Sequence, residues 1–144
     1  MDTSFTGQAD YTLDAKNRLT VPARFRDRFA DGLVLAKDIE NCVALWTPEG
    51  YAAFCEAALG DANPLSQKAR QVRTFLAANA NSGELDSAGR AALQPFLLEH
   101  AGIDRDVVVV GVGDHLQVWN RERWEEYNAQ LAASMASISA AFDD

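Results

Sequence analysis

Short stretches of alternating apolar and polar residues dominate the chain, and they follow the same order in its two halves. An alternating strand around Tyr11 and Leu13 enters a polar turn and continues in a second strand at 19–21. The second half repeats this order, with a polar turn at 86–90 followed by a strand at 91–93. Alternation with a period of two is typical of strands that bury one face. Each half is therefore predicted to begin with two strands joined by a tight turn.

A proline follows each of these strand pairs and predicts a short helix. Pro22 and Pro95 suit the first position of a helix, where no backbone N–H is required. In the first half, Phe25 and Phe29 are four residues apart and would share one buried face of this helix. Arginines, beginning with Arg24, would occupy another face.

Each half then contains a predicted hairpin. Its strands are expected at 33–37 and 42–46 in the first half, and at 107–112 and 115–119 in the second. The sequence GVGDH at 111–115 has the glycines of a nucleotide-binding loop but lacks the third glycine, and a strand rather than a helix follows it. It is therefore predicted to be a hairpin turn.

Helices are predicted after each hairpin and between the two halves. Thr47 and Asn120 are N-cap residues with acidic residues close behind them, which is typical of helix starts. The first of these helices ends near residue 59, and a linker helix covers about 66–78. The last helix begins at Arg121 and runs into Ala- and Ser-rich residues, predicted to be either a loose amphipathic helix or a frayed end.

The two halves are related by a sequence repeat. TLDAKNRLTV, which begins at Thr12, matches ELDSAGRAAL, which begins at Glu84. The shared residues are Leu13, Asp14 and Arg18 in the first copy and Leu85, Asp86 and Arg90 in the second. The hairpins match after a slip of one residue, so that Trp46 corresponds to Trp119. Two copies are too few for a solenoid, and they are predicted to pack on each other as a pseudo-twofold pair.

The repeated turns contain the residue types that a tight turn requires. Asn17 and Gly89 stand at matching positions, and these residue types best tolerate a positive φ angle. Asp14 and Asp86 can accept hydrogen bonds from backbone N–H groups of the turn. These four residues, together with Arg90, are therefore predicted to shape the two turns.

The chain is acidic, with a formal net charge of −8, but the charge is unevenly distributed. Residues 73–144 contain eleven acidic and five basic side chains, whereas residues 1–72 contain ten acidic and eight basic ones. Basic side chains concentrate around the first turn and the helix that follows it. A nucleic-acid interface, if there is one, is therefore predicted in the first half.

Three residues of this basic region are predicted to bind DNA: Lys16, Arg18 and Arg24. Lysine and arginine dominate DNA affinity by neutralising phosphates, and arginine most often reads guanine edges. The second turn has Ala88 at the position of Lys16. The second turn is therefore predicted to be mainly structural, with a lesser role in DNA binding.

Structural alternatives exist for these basic and aromatic residues. Arg18 and Arg90 could each form an internal ion pair with the aspartate four residues earlier. Arg26 and Arg28 could simply be the solvated face of an amphipathic helix. The three tryptophans fit a core or a subunit interface better than a base-stacking surface.

Nothing else in the sequence predicts catalysis, a metal or a cofactor. His100 and His115 have no identifiable acid–base or nucleophilic partner. Cys42 and Cys55 form no CxxC motif or Cys/His cluster and are expected to be free thiols. The longest apolar runs, such as 107–112, are far shorter than the ~20 residues of a membrane-spanning helix. The protein is therefore predicted to be no enzyme, to use no small-molecule substrate and to act away from the membrane.

Three segments resemble the MraZ family, whose members carry two modules of the AbrB/MazE type: YTLDAKNRLTVPARFR, ANSGELDSAGRAALQPFLLEHAG and VVVVGVGDHLQVWNRERWEEY. The resemblance implies a mostly β fold with flanking helices (α+β). It further implies that two tandem swapped-hairpin modules form a pseudo-twofold double-split β-α-β barrel. The expected modules are 7–54 and 83–126, with linker helices at 55–82 and a C-terminal helical tail at 127–144.

The same resemblance implies a function. Members of the family are cytoplasmic, nucleoid-associated regulators of the division and cell-wall gene cluster, and they form rings. They bind double-stranded DNA at short G-rich direct repeats upstream of their own operon. Asn17 departs from the family, which usually has glycine there, and Asn is the next-best residue for a positive φ. The alternative is an antitoxin-like or scaffold module that binds a protein without specific DNA binding.

Overall fold

The structure, a computed structural model, describes residues 1–142 as eight strands, four α-helices and one 3₁₀ helix. The first half contains strands β1 Gln8–Thr12, β2 Arg18–Thr20, β3 Leu33–Lys37 and β4 Val43–Trp46, the 3₁₀ helix Ala23–Phe29 and helix α1 Pro48–Leu59. The linker helix α2 is Gln67–Ala78. The second half contains strands β5 Ala80–Gly83, β6 Arg90–Ala92, β7 Asp106–Gly111 and β8 Leu116–Asn120, with helices α3 Pro95–Ala101 and α4 Arg121–Phe142.

The element order confirms the predicted repeat. Each half runs through strand, turn, strand, short helix, hairpin and helix, and α2 connects the two halves. The predicted mixture of helices and antiparallel strands is also confirmed. The last two residues of the predicted helical tail, 143 and 144, lie outside the described residues. No helix in the described part is both long and apolar enough to cross a membrane.

The strands of the two halves pair with each other in a six-stranded antiparallel sheet of order β1-β7-β8-β4-β3-β5. The two hairpins meet at the centre, where β4 pairs with β8 and Leu45 faces Leu116. The first strand of each half pairs with the hairpin of the other: β1 with β7, and β5 with β3. Neither half can complete its sheet alone. Strands β1 and β5 are the two edges of this sheet and do not pair with each other. Closure into a swapped-hairpin barrel therefore stays a prediction.

The remaining strands, β2 and β6, form a separate two-stranded antiparallel ribbon. Leu19 faces Ala91 in this pair, and both are buried. The ribbon continues beyond the strands, since the Val21 N–H donates to the Gly89 carbonyl at 2.9 Å and the Leu93 N–H donates to the Asn17 carbonyl at 3.0 Å. Because the strands are antiparallel, the two repeated turns lie at opposite ends of the ribbon, the first beside Leu93 and the second beside Val21.

The largest apolar cluster is shared by the two halves, with the ribbon and both short helices packed on the hairpins. Phe25 and Phe29 are both buried in it, as the predicted helical face required. The helix that carries them is a 3₁₀ helix, and Pro22 caps it instead of opening it. At seven residues it is longer than most 3₁₀ helices, which rarely exceed three or four residues.

The tryptophans lie in two smaller clusters inside the protomer. Trp46 packs with Tyr51 and Phe54, while Trp119 and Trp124 pack with each other. The three indoles are only 2–8% exposed. They belong to the core of one chain, so the alternative role at a subunit interface is not supported for them.

Candidate nucleic-acid interface

The first turn is organised by one carboxylate. Oδ1 of Asp14 accepts the backbone N–H groups of Lys16 and Arg18, each at 2.9 Å. Oδ2 of the same residue accepts the Nε–H of Arg18 at 2.7 Å. The Asn17 N–H donates to the Asp14 carbonyl, and Asn17 adopts a φ of 57°. The turn thus fixes both its own backbone and the Nε of the Arg18 guanidinium.

The second turn repeats these bonds. Oδ1 of Asp86 accepts the N–H groups of Ala88 and Arg90 at 3.0 and 2.9 Å, and Oδ2 accepts the Arg90 Nε–H at 2.8 Å. Gly89 takes the position of the left-handed residue, with a φ of 76°. The backbone of the two turns is therefore held in the same way.

The aspartate–arginine ion pair that the sequence offered as an alternative to DNA binding is present in both turns. It uses only the Nε of each arginine. Among residues 1–142, the terminal nitrogens of Arg18 have no hydrogen-bond partner. Nη1 of Arg90 lies 3.7 Å from Asp14 Oδ2, so that this carboxylate faces both arginines. The pairing therefore positions Arg18 without occupying the atoms that could bind a ligand.

The ribbon places the two arginines on one face. Arg18 is opposite Ala92, and Arg90 is opposite Thr20. Since side chains alternate along each strand, Arg18, Thr20 and Arg90 share the outward face, while Leu19 points into the core. This juxtaposition was not predictable from either turn alone, because it depends on pairing between residues about 72 positions apart. Oδ2 of Asp14 lies 2.7 Å from Nε of Arg18 and 3.7 Å from Nη1 of Arg90, so the two arginines meet at this carboxylate, whereas Lys16 lies in the first turn.

Arg24 lies elsewhere. Its Nη2 donates to the Thr6 carbonyl at 2.8 Å, and its guanidinium carbon is 4.3 Å from the centre of the Phe25 ring. The exposed guanidinium is thus held by the N-terminal segment and by its own helix, and it makes no hydrogen bond to either turn.

The two turn carboxylates stay charged well below neutral pH. The backbone N–H of Arg18 is the main cause that holds the pKa of Asp14 below its ordinary value, and the Arg18 side chain and the Lys16 N–H add to it. The backbone N–H and side chain of Arg90 lower the pKa of Asp86 in the same way. Counting formal charges, the first turn carries one excess positive charge from Lys16, whereas Asp86 and Arg90 cancel in the second.

A second polar cluster ties the two hairpins together away from the turns. His115 binds Asp38 through Nε2 at 2.9 Å and Asp114 through Nδ1 at 2.7 Å, and it stacks on Trp46 at 4.0 Å between ring centres. Burial acts to lower the pKa of His115, but the bonds to the two carboxylates outweigh it and raise the pKa above its ordinary value. The cluster is a cross-link between hairpins. No grouping in residues 1–142 has three or more side chains placed to hold a metal.

Comparison with known proteins gives matches over nearly the whole chain. The family model described as "MraZ protein, putative antitoxin-like" matches twice, over residues 4–75 and 76–144. A protein of a Nocardioides species named "Transcriptional regulator MraZ" is 40% identical over 136 residues, which cover 94% of this chain and 93% of that protein. Proteins with the same name from a Thermoanaerobacter species and from Lactobacillus delbrueckii subsp. bulgaricus are 37% and 34% identical, each covering at least 96% of both chains.

Proposed function

The chain belongs to the MraZ family, and on that premise we propose that it is a sequence-specific DNA-binding transcriptional regulator that contacts DNA through the Asp14–Arg18 turn. The observation that carries this proposal is the geometry of Arg18. Its Nε is fixed by Asp14, while its side chain lies on the outward face of the ribbon, next to the turn that carries Lys16. The similar proteins carry the name of a regulator, which is not a class of enzyme.

The turn supplies two kinds of DNA contact. Lys16 is exposed and contributes a charge that neutralises a phosphate. Arg18 presents two parallel donors, which match the O6 and N7 acceptors of guanine in the major groove. Because Asp14 already orders the guanidinium, little rotational freedom is lost when Arg18 binds. Arg24 completes the predicted DNA-binding set as a phosphate contact beside the N-terminal segment.

One turn of this size would bind weakly, so the proposal includes an assembly. Rings of subunits would display several turns on one face, and each added turn would bind at a high effective concentration. DNA sites arranged as direct repeats require head-to-tail contacts between subunits. The operator sites are short G-rich direct repeats upstream of the protein's own operon, in the division and cell-wall gene cluster, as the family resemblance implies.

The rest of the molecule fits a regulator that binds few sites. The modules 7–54 and 83–126 form the binding unit, and the linker helices 55–82 and the tail 127–144 lie outside it. The acidic surplus of residues 73–144 repels DNA where no turn contacts it, which limits nonspecific binding. The proposed location is the cytoplasm, at the nucleoid.

A titration of labelled DNA tests this proposal. The probe is a duplex from upstream of the protein's own gene cluster, and the control is the same duplex with the guanines of its repeats replaced by adenines. We expect the natural duplex to bind at least tenfold more tightly, since each lost guanine contact costs ~1–3 kcal/mol. Equal binding of the two duplexes would contradict sequence-specific recognition. No binding of either would favour the antitoxin-like or scaffold alternative.

A further inference from the structure

The two turns differ in what covers their left-handed residue. Asn17 is exposed, whereas Gly89 is buried. The cover over Gly89 is the side chain of Arg26, from the 3₁₀ helix of the other half. A Cβ atom added at Gly89 would lie 2.5 Å from Nε and 2.7 Å from Cδ of Arg26. The guanidinium therefore rests directly on the backbone of the second turn, where only glycine leaves room for it.

Arg26 is anchored by one nitrogen only. Its Nε donates to the Val21 carbonyl at 2.9 Å, and the N–H of Val21 donates to the Gly89 carbonyl. Within residues 1–142 the two terminal nitrogens of Arg26 form no hydrogen bond or ion pair. The side chain is half-buried, so its position is fixed while its charged end stays accessible. This is the same arrangement that Asp14 gives to Arg18.

This placement alters the charge of the second turn. Asp86 is already paired with Arg90, and Ala88 stands where the first turn has Lys16. Arg26 therefore adds at the second turn a positive charge that the turn's own sequence lacks. Arg26, Glu84 and Asp86 line one surface depression at this turn. Within the described chain Arg26 forms no ion pair with either carboxylate, and its charge offsets that of Glu84.

In the first turn Asn17 is exposed, and the cation that approaches from the other half is Arg90, whose Nη1 lies 3.7 Å from Asp14. By the repeat offset, Arg26 corresponds to Leu98 in the second half, and Leu98 packs against the apolar core. Each turn is a DxxxR motif (Asp14–Arg18 and Asp86–Arg90), and within residues 1–142 each has one cation outside any ion pair near the arginine of that motif. In the first turn the cation is local (Lys16), and in the second it comes from across the pseudo-twofold axis (Arg26).

We propose that Arg26 binds a DNA phosphate at the second turn, so that every subunit contacts DNA at two points. This inference rests on the proposed function. It assigns a binding role to a residue whose position on a helix suggests only a solvated surface. The second turn is then an electrostatic contact, and base reading stays with Arg18.

The test compares Arg26→Gln with Arg28→Gln, a matched control on the same 3₁₀ helix that removes an exposed charge lying over the Phe5 ring. Affinity for one operator duplex is measured at about 50 and 200 mM salt. Loss of one phosphate contact per subunit flattens the salt dependence of the affinity. The loss of affinity caused by Arg26→Gln should therefore be about threefold larger at the lower salt for each engaged subunit. Arg28→Gln should leave the salt dependence unchanged.

Two further variants separate charge from structure. Arg26→Lys keeps the charge but loses the Nε bond, and it should retain most of the wild-type salt dependence. Ala88→Lys in the Arg26→Gln background places a lysine at the position equivalent to Lys16, and it should restore that dependence. Should Arg26→Gln not fold, Ala88→Glu tests the same location in the otherwise native chain and should weaken binding most at low salt.

The outcomes distinguish this inference from the proposed function. A wild-type protein that does not prefer its operator duplex overturns both. A wild-type protein that binds specifically, with Arg26→Gln and Arg28→Gln showing the same salt dependence, overturns only the role of Arg26. An Arg26→Lys variant as defective as Arg26→Gln at both salt concentrations would also overturn it, because the role would then be structural.

Discussion

The two DxxxR turns have the same backbone but different charge and exposure. In both, an aspartate accepts two backbone N–H groups and the Nε–H of an arginine four residues later. Only the first has an exposed lysine, and only the second is covered by a side chain from the other half. The aspartate and arginine therefore define the shape of the turn, while the neighbouring residues decide what it can bind.

Among substitutions that leave both arginines in place, the largest effect is expected at the carboxylate that faces both of them. Asp14→Ala removes the acceptor of two N–H groups and releases Arg18, and it also removes the contact with Arg90. We expect a loss of about 10–100-fold in specific DNA affinity for each engaged subunit, the range of one lost guanine contact. Asp86→Ala should cost clearly less, because its turn does not position Arg18. Equal losses in fluorescence-anisotropy titrations would contradict the asymmetry.

Substitutions at the left-handed residues of the two turns should differ in their effect on protein stability. Gly89→Ala introduces a Cβ at a φ of 76° and against Arg26, so we expect about 1–3 kcal/mol of destabilisation. Asn17→Ala at the exposed, matching position suffers only the backbone strain and should lose about 1 kcal/mol. Thermal melts of both variants measure the difference. If Gly89→Ala melts no lower than Asn17→Ala, the contact between Arg26 and Gly89 does not constrain the turn.

A smaller effect should distinguish Lys16 from Arg18. Lys16→Ala removes a phosphate contact, so binding should weaken to a similar extent for operator and control duplexes. The slope of log affinity against log salt should fall by about 0.9 for each engaged subunit. The measurement is a salt series on both duplexes. A loss confined to the operator duplex would instead make Lys16 a base-reading residue.

The smallest effect concerns pH and lies outside the turns. The pKa of His115 is raised, so its contribution to stability is complete below the ordinary value of about 6.5 and is lost as pH rises through the raised pKa. His115→Gln should therefore be destabilised relative to wild type mainly at pH 5–6, with the difference shrinking at higher pH. Denaturant titrations across this range measure it. A stability difference between His115→Gln and wild type that grows as pH rises would contradict a raised pKa for His115.

DNA affinity should not follow the titration of His115. The pKa values of Asp14 and Asp86 are both lowered, so both carboxylates stay ionised until the pH falls below their ordinary range. The stability that they contribute is lost only as pH falls through those lowered values. Affinity measured between pH 6 and 8 should therefore be insensitive to the turn aspartates.

The local elements were largely predictable from the sequence. The ends of α1 and α2 follow from Thr47, Ser66 and Gly60, because caps and breakers act on adjacent residues. The positive φ at Asn17 follows from the residue type at the tip of a tight turn. The strands β2 and β6 begin at the arginines themselves, one residue earlier than expected.

The contacts between halves were not predictable from residue patterns alone. A period of two indicates which side of a strand is buried, but it does not identify the partner strand. The shared face of Arg18 and Arg90 depends on the pairing of β2 with β6, and the position of Arg26 depends on packing across the pseudo-twofold axis. For the same reason, Arg24 could be identified as basic and exposed, while its bond to Thr6 could not.

The central claim is that Arg18 carries more of the specific affinity than Arg90, although both occupy the same position in their turns. The direct test is a titration of Arg18→Ala and Arg90→Ala against one operator duplex at two salt concentrations, with thermal melts and size measurements to show that both are folded and assembled. We predict that Arg18→Ala nearly abolishes specific binding, because a loss of ~1–3 kcal/mol recurs in every engaged subunit. Arg90→Ala should retain most of the binding, or else melt at a lower temperature because its pair with Asp86 is broken. A folded, assembled Arg18→Ala protein that binds the operator as tightly as wild type would contradict the account.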